Sequence, residues 1–280
     1  MNLQATDILT SHFPGRDWVL RKPTAGMTGE SYIATRDGLE LFIKFDVEAP
    51  ALQRVAELGV APRVLAAGRH EGRLYIVQEY VQGIRPEREW FPLHLSELAD
   101  LIQVYHRDPV LTALLSKGEQ LKHVEHIEKE LKGFETQLAG LADPAHRAEL
   151  SPLVTQLREQ SRSFEPVDLV PTHADPNFYN FLVAGERIYL LDWDAASLSD
   201  PLRDVGPLLW WYVPPGKWHE FFAAFNVEMS DQTAHKVYWW AARQSCMVAL
   251  LFAGSAYPGY AGPFIEDFRA ALHRQANPHA

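Results

Sequence analysis

Residues 171–194, PTHADPNFYNFLVAGERIYLLDWD, constrain this chain more than any other stretch. They carry His173-Ala174-Asp175, then Asn180 five residues beyond the aspartate, then two short apolar runs. Phe181-Leu182-Val183 and Ile188-Tyr189-Leu190-Leu191 flank Ala184-Gly185-Glu186-Arg187, a composition that predicts a tight β-hairpin turn. Such a hairpin folds Asp192 back beside Asn180. A carboxylate that ends an apolar strand needs a cation or several hydrogen-bond donors to remain ionised. Asp194 is a further candidate metal ligand. For Asp200, which precedes Pro201, and for Asp204, turn and cap roles are the favoured reading.

The first part of the chain is rich in strand patterns. Trp18-Val19-Leu20 and Tyr32-Ile33-Ala34 lie on either side of Thr24-Ala25-Gly26-Met27-Thr28-Gly29-Glu30-Ser31. Gly26 and Gly29, with small polar neighbours such as Thr28, let backbone N–H groups approach phosphate oxygens, although an ordinary glycine-containing hairpin has the same composition. The turn dipeptide Asp37-Gly38 leads into residues 40–45, which put Lys44 on the third strand of a meander. Alone, a strand lysine reads as a solvated edge residue. Val47, Ala51, Val55 and Leu58 then recur at helical spacing, with Pro50 in the first turn and Gly59 as a stop. Residues 60–65 return to the sheet, and Leu74-Tyr75-Ile76-Val77 forms a further strand after the Glu71-Gly72 turn.

From Glu87 the pattern becomes helical. Leu98, Leu101, Ile102 and Tyr105 share one face behind Ser96 as N-cap, and helices over 124–138 and 145–162 are separated by Asp143-Pro144. His123 and His126 lie one turn apart and read as a solvated helix face, with a metal site as the lesser alternative. The aromatic-rich remainder predicts core helices over 218–225 and 236–252. Trp210 or Trp211, if turned towards the catalytic stretch, would suit an ammonium-bearing alcohol.

The order of these motifs resembles the aminoglycoside phosphotransferase and choline kinase family, small-molecule relatives of the protein kinases. His173, Asp175 and Asn180 keep the spacing of the kinase H-R-D-x-x-x-x-N loop, and Asp192 falls where a second metal-binding aspartate is expected. The resemblance covers roughly residues 18–209. It implies a bilobal α+β, protein-kinase-like fold, divided into a small β-rich nucleotide-binding lobe over 1–82 and a larger, mainly helical lobe over 83–280. It implies an ATP-dependent O-phosphotransferase acting on a small alcohol, with Asp175 as the catalytic residue and Asn180 and Asp192 on Mg2+. Gly26, Thr28 and Gly29 would cradle phosphate, and Lys44, oriented by Glu48, would hold it. The Glu79 carbonyl and Val81 N–H would meet the adenine. His173 is expected to brace the loop. Ala174 replaces the family's usual glycine, and Asn177 replaces the lysine of protein kinases.

Composition bears on partners. The net charge of −10 argues against a nucleic-acid surface and favours a cationic small acceptor. It also makes nucleotide binding depend on magnesium to offset phosphate charge. No apolar run approaches the roughly 18 residues of a membrane span, and residues 1–13 lack signal-peptide features. The single cysteine, Cys246, excludes an intramolecular disulfide, so the expected location is cytoplasmic. Two rival functions are a catalytically silent nucleotide-binding pseudokinase and a metal-dependent phosphohydrolase.

Overall fold

A computed structural model describes residues 3–14, 17–23, 29–118 and 122–279. Its first lobe is a five-stranded antiparallel sheet with strands β1 (Val19–Arg21), β2 (Ser31–Arg36), β3 (Leu39–Phe45), β4 (Val64–His70) and β5 (Arg73–Glu79) in the order β1-β2-β3-β5-β4. Both short hairpins use two residues of positive φ, Asp37-Gly38 and Glu71-Gly72, a backbone twist that matches the flanking strands. Alternation along β3 then sets the two faces. Leu41, Ile43 and Phe45 are buried beneath Ala5, Ile8 and Leu9 of helix α1 (Leu3–His12). Lys44 points the other way, paired in register with Ile76, which belongs to the main core between the lobes.

Helix α2 (Ala49–Glu57) joins β3 to β4. The strand expected from residue 60 begins only at Val64. Val60 and Ala61 instead close the helix, both N–H groups donating to the Val55 carbonyl, and Pro62 cannot donate to a ladder. Their side chains are buried at the lobe junction.

The second lobe contains α3 (Leu95–His106), α4 (Pro109–Ser116), α5 (His123–Gly140), α6 (Pro144–Ser161), α7 (Leu202–Tyr212), α8 (Trp218–Phe225), α9 (Asp231–Ala253) and α10 (Ala261–Leu272). Asp143 caps α6 by accepting from the Ala145 N–H at 2.8 Å, which explains the break seen in the sequence. Helix α9 is buried on most of its circumference, with Val237, Trp239, Trp240, Ala241, Ala242 and Cys246 packed against its neighbours. Between α6 and α7, strand β6 (Val170–Thr172) pairs with β9 (Ser197–Ser199), and β7 (Phe181–Ala184) pairs with β8 (Arg187–Leu190) as the expected hairpin.

His123 and His126 are not on a solvated face. Both are buried, with Nε2 of His123 2.8 Å from Asp200 and Nε2 of His126 2.8 Å from the Ser199 hydroxyl. These partners lie 77 and 73 residues further along the chain, so local spacing could not reveal them.

The β7–β8 hairpin also ties the lobes together. Ile84 and Val183 exchange both backbone hydrogen bonds at 2.9 Å, and the Leu190 N–H donates to the Val60 carbonyl at 2.8 Å. Gly83 lies against this bridge: a Cβ there would come within 2.5 Å of the Val183 carbonyl oxygen. The architecture is the bilobal α+β fold that the motif order predicts. Among the described residues no helix is long and apolar enough to cross a membrane.

Candidate active site

The loop after β6 is held by a carboxylate from α7. Asp204 is fully buried and accepts from the His173 N–H and the Ala174 N–H, each at 2.8 Å, and from the Tyr105 hydroxyl at 2.9 Å. Burial opposes its ionisation, but His106 at 3.7 Å and the donated hydrogen bonds, that of the His173 N–H among them, outweigh that cost and hold it below the usual carboxylate range. At 3.7 Å the His106 ring acts through its field and not as a hydrogen-bond donor. The turn reading of Asp204 is therefore corrected: it anchors the loop. Its signal in the sequence was a carboxylate within the apolar helix that carries Val205, Leu208 and Leu209. Asp200 does cap, accepting from the Leu202 N–H at 2.8 Å, but it is also buried against His123 and Lys236.

His173 is wholly buried. Its Nε2 faces the Leu191 carbonyl at 2.8 Å, and its Nδ1 accepts from the Asp175 N–H at 3.2 Å. A carbonyl only accepts, so the ring carries its proton on Nε2 and braces the loop as a neutral tautomer. Ala174 adopts φ 70°, the left-handed region that a glycine, expected here from the family resemblance, would enter without strain.

Asp175 emerges beyond this brace. Its Oδ2 accepts from Asn177 Nδ2 at 2.9 Å and from Asn180 Nδ2 at 3.2 Å. Asn180 Nδ2 also donates to the Asp175 carbonyl at 2.9 Å. Both partners of Asn180 Nδ2 are acceptors, so the amide orientation is fixed and Oδ1 points away from Asp175. On the other side Gln244 of α9 approaches Asp175 Oδ1 at 3.4 Å, a residue that the sequence patterns did not single out.

The hairpin delivers Asp192 as expected. The Leu191 N–H donates to the Asn180 carbonyl at 2.7 Å, and Asp192 follows in a left-handed conformation, φ 64° and ψ 65°. Its Oδ1 lies 2.7 Å from the Lys44 ammonium, as does Oδ2 of Asp194. These contacts bridge 148 residues of sequence and the two lobes. Burial alone would lower the pKa of Lys44, yet the hydrogen bonds to Asp192 and Asp194 outweigh it and hold the pKa above the usual lysine value. One ammonium facing two carboxylates leaves the cluster with a net negative charge, the condition for attracting a further cation.

Glu48 is not the partner of Lys44. Helix α2 starts at Ala49, with Pro50 in its first turn, so Glu48 sits outside the helix as an exposed N-cap residue, 3.5 Å from Lys117. The two aspartates of the other lobe occupy the ammonium instead. Of the glycine loop, Gly26 and Thr28 lie outside the described residues. Gly29 has φ 80°, and a Cβ there would stand 3.6 Å from Lys44 Cε, so this end of the loop passes over the lysine. Glu79 ends β5, with its side chain accepting from the Arg63 N–H at 3.2 Å. Among the described residues no backbone partner takes the Val81 N–H.

Trp210 turns into the core, donating to the Gln275 carbonyl at 2.9 Å, whereas half-buried Trp211 donates to Asp267 at 3.1 Å. Tyr212, which accepts from the Phe178 N–H at 3.1 Å, lies between Asp175 and Asp267; burial and both carboxylates raise its pKa.

The sequence of residues 12–240 matches the phosphotransferase enzyme family. Choline kinase LicA from Streptococcus pneumoniae superposes with a TM-score of 0.70 over 96% of this chain and 98% of its own, at 18% identity. A choline/ethanolamine kinase family protein from Mesorhizobium loti gives 0.69 at 21% identity, covering 96% of this chain and 92% of its own. A thermostable mutant of aminoglycoside phosphotransferase APH(4)-Ia, in ternary complex with ADP and hygromycin B, gives 0.73 at 14% identity over 98% of each chain. These structures share the bilobal kinase-like fold. With its sequence matched across most of its length, the chain belongs to the phosphotransferase enzyme family.

Proposed function

We propose that the protein is an ATP- and Mg2+-dependent kinase that transfers the γ-phosphoryl group to a hydroxyl of a small, positively charged molecule, a choline-like or aminoglycoside-like alcohol. The observation that carries this reading is the meeting of Lys44 with Asp192 and Asp194 at 2.7 Å, beside the Asp175–Asn180 pair. We place the nucleotide between the lobes 1–82 and 83–280, where Lys44 meets Asp192 and Asp194; a relative of the same fold binds ADP. Its adenine edge meets the Glu79 carbonyl and the Val81 N–H.

The donors fit Mg2+. Asn180 Oδ1 and the carboxylates of Asp192 and Asp194 are hard oxygen ligands, and two of these are half-exposed and so accessible. Among the described residues no group of three or more His, Cys, Asp or Glu side chains could hold an ion alone. That agrees with an ion held by one or two carboxylates together with substrate phosphates. Bound there, Mg2+ neutralises phosphate charge during transfer.

The chain's own groups supply alignment. Lys44 exchanges part of its contact with Asp192 and Asp194 for phosphate oxygens. Asp175 accepts a hydrogen bond from the acceptor hydroxyl and aims it at the phosphorus. The acceptor's positive charge is met by Asp267, which burial biases towards its neutral form and a bound cation would return to the carboxylate, and by the neighbouring Trp211 ring. Incubation with Mg-ATP and a panel of amino-alcohols and aminoglycosides tests this. Acceptor-dependent ADP in excess of free phosphate is expected. Equal ADP and phosphate, whatever the acceptor, would mean a phosphohydrolase, and nucleotide binding without ADP would mean a silent fold.

A further inference from the structure

We propose that Gln244 is a positioning residue for Asp175: its side-chain amide, oriented by Arg243, holds one carboxylate oxygen and fixes the plane in which the acceptor hydroxyl is received. This inference rests on the phosphotransfer reading given above. Gln244 is 2% exposed, so water does not compete for its amide. Its Oε1 accepts from Arg243 Nη1 at 2.8 Å, and its Nε2 faces Asp175 Oδ1 at 3.4 Å. A guanidinium only donates and a carboxylate only accepts, so the amide has one workable orientation.

Arg243 is itself immobilised. Its Nε donates to Glu130 of α5 at 2.8 Å, and its guanidinium packs 5.3 Å from the Phe134 ring centroid. Glu130 also binds Arg203 of α7 and lies 3.6 Å from His126. A buried chain of polar groups thus runs from α5 through Glu130, Arg243 and Gln244 to Asp175. Asn177 and Asn180 claim the opposite carboxylate oxygen. With a donor on each side the carboxylate cannot rotate freely, and such restraint matters because a misplacement of about 1 Å can cost 10²-fold in rate. Oδ1 keeps a second lone pair, so it can receive the acceptor hydroxyl while facing Gln244 at 3.4 Å.

The contact is tested without turnover in the full-length protein labelled with nitrogen-15. The Gln244 side-chain amide resonances, assigned by their loss in Q244L, are expected to shift in D175N, which removes the negative charge they face. An amide indifferent to D175N overturns the contact. The role is tested kinetically. Q244L is expected to lower kcat about 10- to 100-fold with the KM for Mg-ATP within about twofold of wild type. Q244E keeps the acceptor for Arg243 but replaces the donor facing Asp175 with a like charge, so its kcat should fall at least as far as that of Q244L, again at a KM for Mg-ATP close to wild type. A purely structural glutamine would lower the melting temperature and leave kcat per folded molecule unchanged. Both variants within about twofold of wild-type kcat overturn the proposal. A wild-type protein that phosphorylates no acceptor defeats the phosphotransfer reading, and the amide spectra then decide the contact on their own.

Discussion

Replacing Asp175 with asparagine separates binding from chemistry. The variant keeps the size of the side chain and leaves Lys44, Asp192 and Asp194 in place, so nucleotide affinity should persist while kcat falls by about 10² to 10⁴. Single-turnover ADP release with a working acceptor, alongside nucleotide titration, checks both halves. D204N acts through the loop. It weakens an acceptor that serves three buried donors, so stability should fall by on the order of 3 kcal/mol in chemical denaturation, with activity lost in parallel. Residues of the first kind were legible in the sequence because Asp175, Asn180 and Asp192 sit at fixed offsets within one short stretch. The roles of Asp204 and Gln244 were not, since each acts through a partner about 30 or 69 residues away; the apolar helix around Asp204 marks only its burial. Glu48 misled for the reverse reason: its position along the chain was right for a partner of Lys44, while the start of α2 after it turned the side chain outward.

Among the elements, the β7–β8 hairpin bears most directly on the site, since Asp192 follows it and it is fastened to the lobe junction at Ile84 and Val60. G83A inserts a methyl group 2.5 Å from the Val183 carbonyl and must shift that junction. A loss of about 1–3 kcal/mol is expected, with a higher KM for nucleotide, measurable by denaturation and initial rates. Helices α5, α7 and α9 meet at Glu130, Arg203, Arg243 and His126. Burial lowers His126 from its ordinary 6.5 to about 4, with Arg203, Arg243 and His123 acting in the same sense and Glu130 against them. The folded state therefore binds fewer protons there than the unfolded chain as pH falls from about 6.5 to 4, so stability declines across that window. The interval corresponds to at most on the order of 3 kcal/mol. Melting curves of wild type and H126Q between these pH values should diverge, with H126Q losing less. The helices over 124–138, 145–162 and 218–225 were readable from periodicity, but Ser96 lies inside α3, whose N-cap is His94, α9 starts already at Asp231, and the buried face of α5 was not legible. His123 and His126 satisfy their polar atoms with β9 and the segment after it, so they bury like apolar residues.

At the scale of the whole molecule, the strand lysine and the metal-ligand candidates come from opposite lobes, and their convergence is what the sequence could propose only through motif order. A net charge of −10 works against a bare polyphosphate, so the proposed nucleotide binding should depend on a divalent cation. Saturation with Mg-ATP at about 100 times its dissociation constant should add about 2.7 kcal/mol to stability. Calorimetric titration of ATP into wild type and D192N, each with Mg2+ and with EDTA, tests the site without knowledge of the acceptor. Tight binding by wild type with Mg2+, lost in EDTA and in D192N, is the predicted result; affinity that neither EDTA nor D192N changes would contradict it.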